Sequence, residues 1–295
     1  MSIAVRGRSA KVAVGAAGRR LPLRDLGSVW AYALLSGGLL LLIGPFVWMV
    51  LGSLKTPEEL VRLPPTWLPE RPRLDNYTAL VERLNLPIFF ANSLIVAVAV
   101  TGGNLLFCSM FGYALAKLRF PGRDGLFLVV LGTLLIPGSV TLIPLFILVS
   151  NLGLVNTHAG LVVPFVAGPF GVFLMRQFIM GIPDDLLDAA RADGADEYFI
   201  FARIVLPLSG PALATLGILT FLGSWNGFLW PLVVSTQERM YTLPVALATF
   251  ARGQHSSDHG LLMAGAVVIV TPVIAVFLLL QRHITQGIAM TGLKG

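Results

Sequence analysis

The chain has 295 residues, of which 56% are hydrophobic and 12% charged, with a net charge of +6 and a mean hydropathy of +0.82. This balance indicates a membrane protein, and the basic residues form no stripe interleaved with aromatics, which argues against a nucleic-acid-binding function. Cys108 is the single cysteine and excludes an internal disulfide. It falls in an apolar run, where a small buried hydrophobe is the simplest interpretation.

Stretches free of Lys, Arg, Asp and Glu mark the predicted membrane spans. A helix needs roughly 20 apolar residues to cross a bilayer, and a charge at mid-bilayer costs about 2.5–3.5 kcal/mol. The longest stretch, 125–175, has room for two helices and is interrupted by a polar turn at 151–158. The sequence therefore predicts six spans, near 29–54, 88–116, 126–149, 159–180, 208–234 and 260–281.

Lysine and arginine set the predicted orientation. They concentrate before the first span, between spans two and three, between spans four and five, and at the C-terminus. The positive-inside rule places these segments, and with them both termini, in the cytoplasm. The predicted organisation is a basic cytoplasmic tail (1–27), a first transmembrane helix with an outside loop (28–87), the main transmembrane domain (88–281) with a cytoplasmic loop (181–207), and a cytoplasmic C-terminal tail (282–295).

Prolines interrupt several of these segments. The outside loop at 55–86 is proline-rich, so irregular structure with short helical turns is expected there, and 237–258 forms the second sizeable outside loop. Prolines inside the predicted spans can kink their helices, either as part of a bundle that rearranges or as ordinary membrane-helix prolines. These are Pro137, Pro144, Pro164, Pro169, Pro231 and Pro272.

The 181–207 loop gathers six of the fifteen acids between two apolar spans. Asp184 is predicted to cap a helix, and the acids that follow favour the positive end of its dipole. Gly194 breaks the pattern, since glycine permits backbone directions that other residues resist. A second helical piece is predicted over 196–205, with Pro207 separating it from the next span. Such a loop exposes small residues to a partner surface; a surface-lying helix without a partner is the alternative.

The stretch DAARADGADEYFIFARIVLP, from Asp188 to Pro207, resembles the EAA loop of the permease subunits of ABC importers. That pattern is roughly EAA–x–x–DGA–x5–F–x–x–I–x–LP, and it stays in register over twenty residues. Asp188 stands where the family usually has Glu, which keeps the charge but shortens the reach by one methylene. Further segments resemble the carbohydrate branch, above all its second, maltose-permease G-type subunit: 53–56, 92–94, 112–116, 225–231 and 281–295.

The resemblance implies an all-α integral membrane protein with six transmembrane helices and a MetI-like ABC permease core, in the inner membrane of a prokaryote. Such a chain is not an enzyme and binds no cofactor; ATP is bound by two cytoplasmic ATPase subunits. A second permease subunit completes a heterodimer in the lipid, and an extracellular or periplasmic solute-binding protein delivers the solute. The implied function is translocation of a sugar, oligosaccharide or related polyol by alternating access.

In that family the loop is a coupling helix that docks on the ATPase. The resemblance assigns this contact to Asp188, Ala189, Ala190, Arg191, Asp193, Gly194 and Ala195. An internal salt bridge between Arg191 and Asp193 is the alternative for those two residues.

Energy coupling is further constrained by what the sequence lacks. No phosphate-binding G-x-x-x-x-G-K-[ST] loop occurs, and no ionisable residue lies deep in the predicted spans. A separate ATPase is therefore favoured over an ion gradient. The alternatives are an ABC permease for another solute (polyamine, phosphate ester or amino acid), an ATP-independent channel or secondary transporter, and an assembly scaffold.

Candidate solute contacts are amides and an aromatic ring in the predicted spans: Asn226, Trp225, Asn92 and Asn104. An amide hydrogen-bonds hydroxyls and an aromatic ring stacks on the apolar face of a sugar; helix–helix hydrogen bonding and an interfacial aromatic belt are the alternatives. His255, Asp258 and His259 lie close together outside the membrane. A short polar loop is the preferred interpretation there, and no metal site is predicted.

Overall fold

The computed structural model describes residues 24–252 and 258–291 of the chain, and none of these residues forms a strand. Most of them lie in α-helices, which are connected by short turns except for the longer irregular segment 61–74. In chain order the helices are α1 (Arg24–Ser53), α2 (Pro57–Leu60), α3 (Asp75–Leu84), α4 (Leu86–Lys117), α5 (Arg123–Leu134), α6 (Gly138–Asn151), α7 (His158–Val162), α8 (Pro169–Met180), α9 (Asp184–Ala192), α10 (Glu197–Ile200), α11 (Leu206–Leu208), α12 (Gly210–Trp225), α13 (Leu229–Val234), α14 (Leu243–Arg252) and α15 (His259–Thr291).

In the described residues, three helices are long and apolar enough to span a membrane, and the number rises to six when each of three bent helix pairs is counted as one span. Three are single helices: α1 over Trp30–Ser53, α4, and α15 over His259–Leu279. The other three are pairs bent at a short break: α5 with α6 by 104°, α7 with α8 by 41°, and the helical run Glu197–Leu208 with α12 by 79°. By packing the described residues divide into two units, with the boundary between Trp48 and Met49 inside α1, and the second unit holds α2 to α15.

Two of the expected proline kinks coincide with these bends. Pro137 precedes α6 at the 104° bend, and Pro169 opens α8 after the 41° bend. Both prolines lie at helix starts. The first N–H groups of a helix have no intrahelical acceptor, so the missing proline N–H costs no hydrogen bond there. Pro144 and Pro272 instead lie inside α6 and α15.

The prediction of one continuous fifth span over 208–234 is wrong. The structure ends α12 at Trp225 and starts α13 at Leu229. The side-chain amide of Asn226 donates to the Leu222 carbonyl at 3.0 Å, beside the backbone N–H of the same residue at 3.1 Å. Such side-chain competition for a backbone carbonyl favours helix termination, which the following Gly227 completes.

Pro207 was expected to separate the 181–207 loop from the fifth span, and this is also wrong. A π-helical turn over Phe201–Val205 leads directly into α11, which contains Pro207 near its first position. The 79° bend comes two residues later, at Ser209. Proline is tolerated at the start of a helical turn, so it does not break this one.

Helix α4 packs closely against α8. An added Cβ at Gly112 of α4 would lie 2.7 Å from the Met175 Cβ and 2.9 Å from the Arg176 backbone nitrogen. Small residues allow such close helix approach in membrane proteins. Cys108, one turn earlier, is fully buried, as predicted. The apolar cluster around it joins α4, α8 and α12 to the 181–207 loop.

The two loops that were predicted to lie outside contain short helices. Residues 55–86 hold α2 and α3, as expected, and residues 237–258 hold α14. Asp258 caps the start of α15 by accepting the Leu261 N–H and lies 3.7 Å from the Arg83 guanidinium. His255 lies outside the described residues, within which no cluster of metal-ligating side chains occurs.

Candidate functional site

The 181–207 loop consists of two short helices joined at Gly194, as predicted. Gly194 has φ +88°, a left-handed conformation that favours glycine. Its N–H donates to the Arg191 carbonyl at 3.0 Å, and the Ala195 N–H donates to the Ala190 carbonyl at 3.0 Å. These two bonds form a Schellman motif that ends α9. Asp196 then caps α10 by accepting the Phe199 N–H at 2.7 Å.

One face of the loop is anchored in the bundle. Leu187, Ile200 and Val205 have no exposed surface and belong to the apolar cluster around Cys108. Of the seven residues assigned to an ATPase contact, Ala190 and Ala195 also pack against this cluster. Four of the seven are exposed, namely Asp188, Ala189, Asp193 and Gly194. The other three, Ala190, Arg191 and Ala195, are half-buried.

Arg191 forms ion pairs within the loop, but not with Asp193. Its Nη1 lies 2.7 Å from Asp188 Oδ1, and its Nε lies 2.8 Å from Glu197 Oε1. The proposed Arg191–Asp193 pair is therefore wrong: Asp193 sits at the end of α9, whereas Asp188 is one helical turn before Arg191 and Glu197 opens the next helix. The Glu197 carboxylate raises the pKa of the Arg191 guanidinium above its ordinary value.

The last turn of α4 holds the loop through two residues that sequence reasoning missed. Tyr113 Oη donates to Glu197 Oε2. Lys117 Nζ donates to the Ile182 carbonyl at 2.6 Å and to Asp184 Oδ1 at 2.7 Å. A spacing of four residues places both side chains on one face of α4.

Asp184 was expected to cap a helix, and this is wrong because its carboxylate binds Lys117. Pro183 occupies the capping position, without a side-chain hydrogen bond. The Asp184 carboxylate instead binds Lys117, whose ammonium lowers the pKa of that carboxyl below its ordinary value. The ammonium therefore competes with the backbone N–H groups for the same oxygen atoms.

A cavity of about 360 Å³ lies between α4, α7, α12 and α13. Its lining includes the hydroxyl-bearing residues Thr220 and Ser224 and the aromatic residues Phe165 and Trp230. The two rings meet edge to face with centroids 5.5 Å apart. None of the described residues that line this cavity carries a charge. The lining can thus offer hydroxyl and aromatic contacts to a small neutral molecule.

Asn104 lines the cavity, but its amide is engaged by the chain itself. Its Nδ2 donates to the Phe165 carbonyl at 2.6 Å, and its Oδ1 accepts the Gly168 N–H at 3.0 Å. It therefore bridges the break between α7 and α8. A direct solute contact by Asn104 stays a prediction.

The other three candidate solute residues lie elsewhere in the bundle. Asn92 is buried and donates to the carbonyls of Arg239 and Tyr241 at 2.9 and 3.0 Å. Trp225 is also buried, and its Nε1 donates to the Ile269 carbonyl at 2.9 Å. Asn226 is exposed at the end of α12. For these three residues, too, solute contact stays a prediction.

Replacement of Asn104 by leucine is expected to destabilise the protein. The Phe165 carbonyl and the Gly168 N–H, in partly buried bonds, would lose Asn104 as a partner, and leaving a polar group unsatisfied costs at most about 1–3 kcal/mol. The thermal unfolding midpoint of the purified protein in detergent measures this effect. Asn226→Leu is the matched control, because that exposed amide makes one local bond. Equal midpoints for the two variants would contradict the bridging role.

Residues 109–290 match the family described as binding-protein-dependent transport system inner membrane component. The chain belongs to this family. It is therefore a multi-pass inner-membrane component of a transport system that depends on a binding protein, and it is not an enzyme. The predicted all-α fold with six spans and the predicted resemblance to ABC permeases are confirmed.

Relatives of this inner-membrane component resemble it along most of its length. The arabinooligosaccharides transport system permease protein AraQ of Halalkalibacterium halodurans is 41% identical over 254 residues, 85% of this chain and 91% of the relative. The lactose transport system permease protein LacG of Rhizobium radiobacter is 33% identical, with 91% and 96% coverage. The sn-glycerol-3-phosphate transport system permease protein UgpE of Agrobacterium fabrum is 31% identical, with 91% and 98% coverage.

A solved structure shares the fold of this inner-membrane component. It is a chain of a bacterial ABC transporter involved in the import of the acidic polysaccharide alginate, with a TM-score of 0.81. The likeness covers 91% of this chain and 100% of the other, at 23% identity. At that identity the comparison shows the fold alone.

Proposed function

We propose that this chain is the permease subunit of an ATP-driven ABC importer that moves a sugar, oligosaccharide or related polyol across the inner membrane by alternating access. The 181–207 loop carries this proposal. It is anchored on one side by buried Leu187, Ile200 and Val205 and exposes Asp188, Ala189, Asp193 and Gly194 on the other. A rigid, exposed element with a fixed joint suits the transfer of force from a separate ATPase.

The proposed ATPase contact consists of the seven residues between Asp188 and Ala195, without Ala192. Two small exposed positions, Ala189 and Gly194, allow a partner surface to approach the backbone closely. Asp188 and Arg191 are already paired at 2.7 Å, which fixes the geometry of the polar groups presented to a partner. A pre-organised contact of this kind loses less conformational entropy on binding.

A neutral carbohydrate is the solute that the cavity favours. Thr220 and Ser224 carry hydroxyls that suit sugar hydroxyls, and Phe165 and Trp230 are aromatic residues that suit apolar sugar faces. Two similar proteins are named for arabinooligosaccharides and lactose. A phosphate ester is the second candidate, because another relative is named for sn-glycerol-3-phosphate. A dianion would need compensating charge that the cavity wall does not provide among its described residues.

The proposed assembly contains a second permease subunit, two cytoplasmic ATPase subunits that bind ATP, and an extracellular or periplasmic solute-binding protein. We place both termini and the 181–207 loop in the cytoplasm from the distribution of Lys and Arg. The described helices begin at Arg24 and end at Thr291, so the proposed tails, 1–27 and 282–295, each overlap a helix end.

Reconstitution tests this function. The chain is co-expressed with its proposed partner permease, ATPase and solute-binding protein, and the complex is placed in liposomes. Hydrolysis of ATP is measured with the binding protein and each of three solutes: an arabinooligosaccharide, lactose and sn-glycerol-3-phosphate. We expect a neutral sugar to stimulate hydrolysis and to enter the liposomes only with ATP. Solute entry without any ATPase subunit, or stimulation by the phosphate ester alone, would contradict the proposal.

A further inference from the structure

We infer that α4 moves with the 181–207 loop as one body and carries its displacement to the cavity. Tyr113 and Lys117 are the positioning residues at the loop end, and Asn104 is the positioning residue at the cavity end. The inference rests on the proposed function, since it concerns how movement imposed by an ATPase reaches the solute site. Three observations support it: the attachment of the loop, the straight run of α4, and the bridge made by Asn104.

Lys117 attaches the beginning of the loop to α4. Its side chain is only 6% exposed, although it ends in an ammonium group. Its Nζ donates to the Ile182 carbonyl and to Asp184 Oδ1 at 2.6 and 2.7 Å. A desolvated ammonium needs such partners, and charge-assisted bonds are about twice as strong as neutral ones. The first turn of α9 is thereby fixed to the last turn of α4.

Tyr113 attaches the second half of the loop. Its side chain is buried, its hydroxyl donates to Glu197 at the start of α10, and its ring contacts Phe201 with centroids 5.6 Å apart. Glu197 in turn binds Arg191, which binds Asp188. Both helices of the loop are therefore linked to positions four residues apart on α4.

The same helix forms one wall of the cavity. Val96, Val100 and Asn104 line it, and no proline lies between Asn104 and Lys117. These thirteen helical steps span about 20 Å at 1.5 Å per residue. An uninterrupted helix of this length transmits a displacement without an internal joint.

At the cavity end, Asn104 converts a shift of α4 into a shift of the break between α7 and α8. It holds the Phe165 carbonyl on one side of the 41° bend and the Gly168 N–H on the other. Phe165 is itself part of the cavity wall. A direct route through α12 exists too, but it passes a π-helical turn and the 79° bend at Ser209. The straight helix is the stiffer of the two connections.

A reporter thiol in the cavity tests this inference. Ser224→Cys is introduced into the chain, assembled with its partner permease and ATPase in nanodiscs. Cys108 is fully buried, so the background reaction with an added thiol reagent stays low. The probe is the methanethiosulfonate reagent MTSET. The rate at which it modifies the introduced thiol is measured without nucleotide and after trapping with ATP, Mg²⁺ and vanadate.

We expect trapping to change the modification rate about tenfold in the Ser224→Cys parent, within the range of coupling energies known for such networks. Tyr113→Phe removes the hydroxyl that donates to Glu197, and Glu197→Gln replaces the charged acceptor with a neutral amide, which weakens its bonds to Tyr113 and Arg191. In each, the change is expected to fall below about twofold, while the amount of trapped nucleotide is unaltered. The double variant should show no larger loss than either single one, because both substitutions act on the one link between α4 and the start of α10. Tyr32→Phe, an exposed tyrosine in α1, is the matched control and keeps the parental change.

If trapping changed the modification rate in Tyr113→Phe and Glu197→Gln as much as in the Ser224→Cys parent, the inference would be overturned. The proposed function would still stand, because nucleotide is still trapped. Trapped nucleotide without any rate change in the parent would also overturn it, because the cavity would not respond to the ATPase. A complex that traps no nucleotide contradicts both the proposed function and the inference.

Discussion

Gly194→Val is expected to reduce the amount of ATPase subunit that co-purifies with this chain by about tenfold or more. Gly194 has φ +88°, and a left-handed conformation costs an ordinary residue roughly 1–2 kcal/mol, with a higher cost for a β-branched one. No atom lies within 4 Å of an added Cβ at this position. The effect would therefore come from the backbone, which would abandon the Schellman motif and re-aim α10. Quantitative co-purification from the membrane measures it.

Gly194→Asn is the matched control, since asparagine tolerates the left-handed region better than other residues with a side chain. It adds a side chain of bulk similar to that of valine but is expected to retain most of the ATPase. Equal losses in both variants would point to occupation of a partner surface rather than to backbone strain. An undiminished amount of co-purified ATPase subunit in Gly194→Val would contradict the proposal that the left-handed joint at Gly194 positions the loop for the ATPase.

Gly112→Val is expected to prevent the close packing of α4 on α8 and to lower the thermal unfolding midpoint strongly. Its Cβ would stand 2.7 Å from the Met175 Cβ and 2.9 Å from the Arg176 backbone nitrogen. Overpacking costs about 1–3 kcal/mol, and contact with backbone leaves little room for relief by a rotamer change. The midpoint of the detergent-purified protein and its yield are the measurements.

Gly132→Val in α5 provides the control for this substitution. Gly132 is an exposed helical glycine with no atom within 4 Å of an added Cβ. The same change of residue there tests the cost of valine in a membrane helix without the clash. A midpoint for Gly112→Val equal to that of Gly132→Val would contradict the packing argument.

The helical spans and the two-helix loop could be predicted because their signals are local. Runs without charge predicted six spans, and the pattern around Gly194 predicted a joint that the structure places there with φ +88°. The second helical piece was predicted to begin at Asp196, and that residue caps α10. In each case a few neighbouring residues decide the conformation.

The features that were missed depend on partners distant in sequence. Tyr113 meets Glu197 across 84 residues, and Lys117 meets Asp184 across 67. A local rule made Asp184 a helix cap, but the ammonium of Lys117 takes its carboxylate instead. The break after Trp225 also went unpredicted, because the apolar run continues through it and only the side-chain bond of Asn226 marks it.

A crosslink from the exposed side of the 181–207 loop tests the central claim most directly. Ala192 is exposed at the end of α9, so Ala192→Cys places a thiol there without disturbing the buried side. A bifunctional thiol reagent is applied to inside-out membrane vesicles, and the product is identified by mass spectrometry. We predict a product with the ATPase subunit that is diminished in Gly194→Val. The claim would be contradicted if the introduced thiol reacted only in intact cells with an impermeant reagent, or if its crosslinks reached no nucleotide-hydrolysing chain.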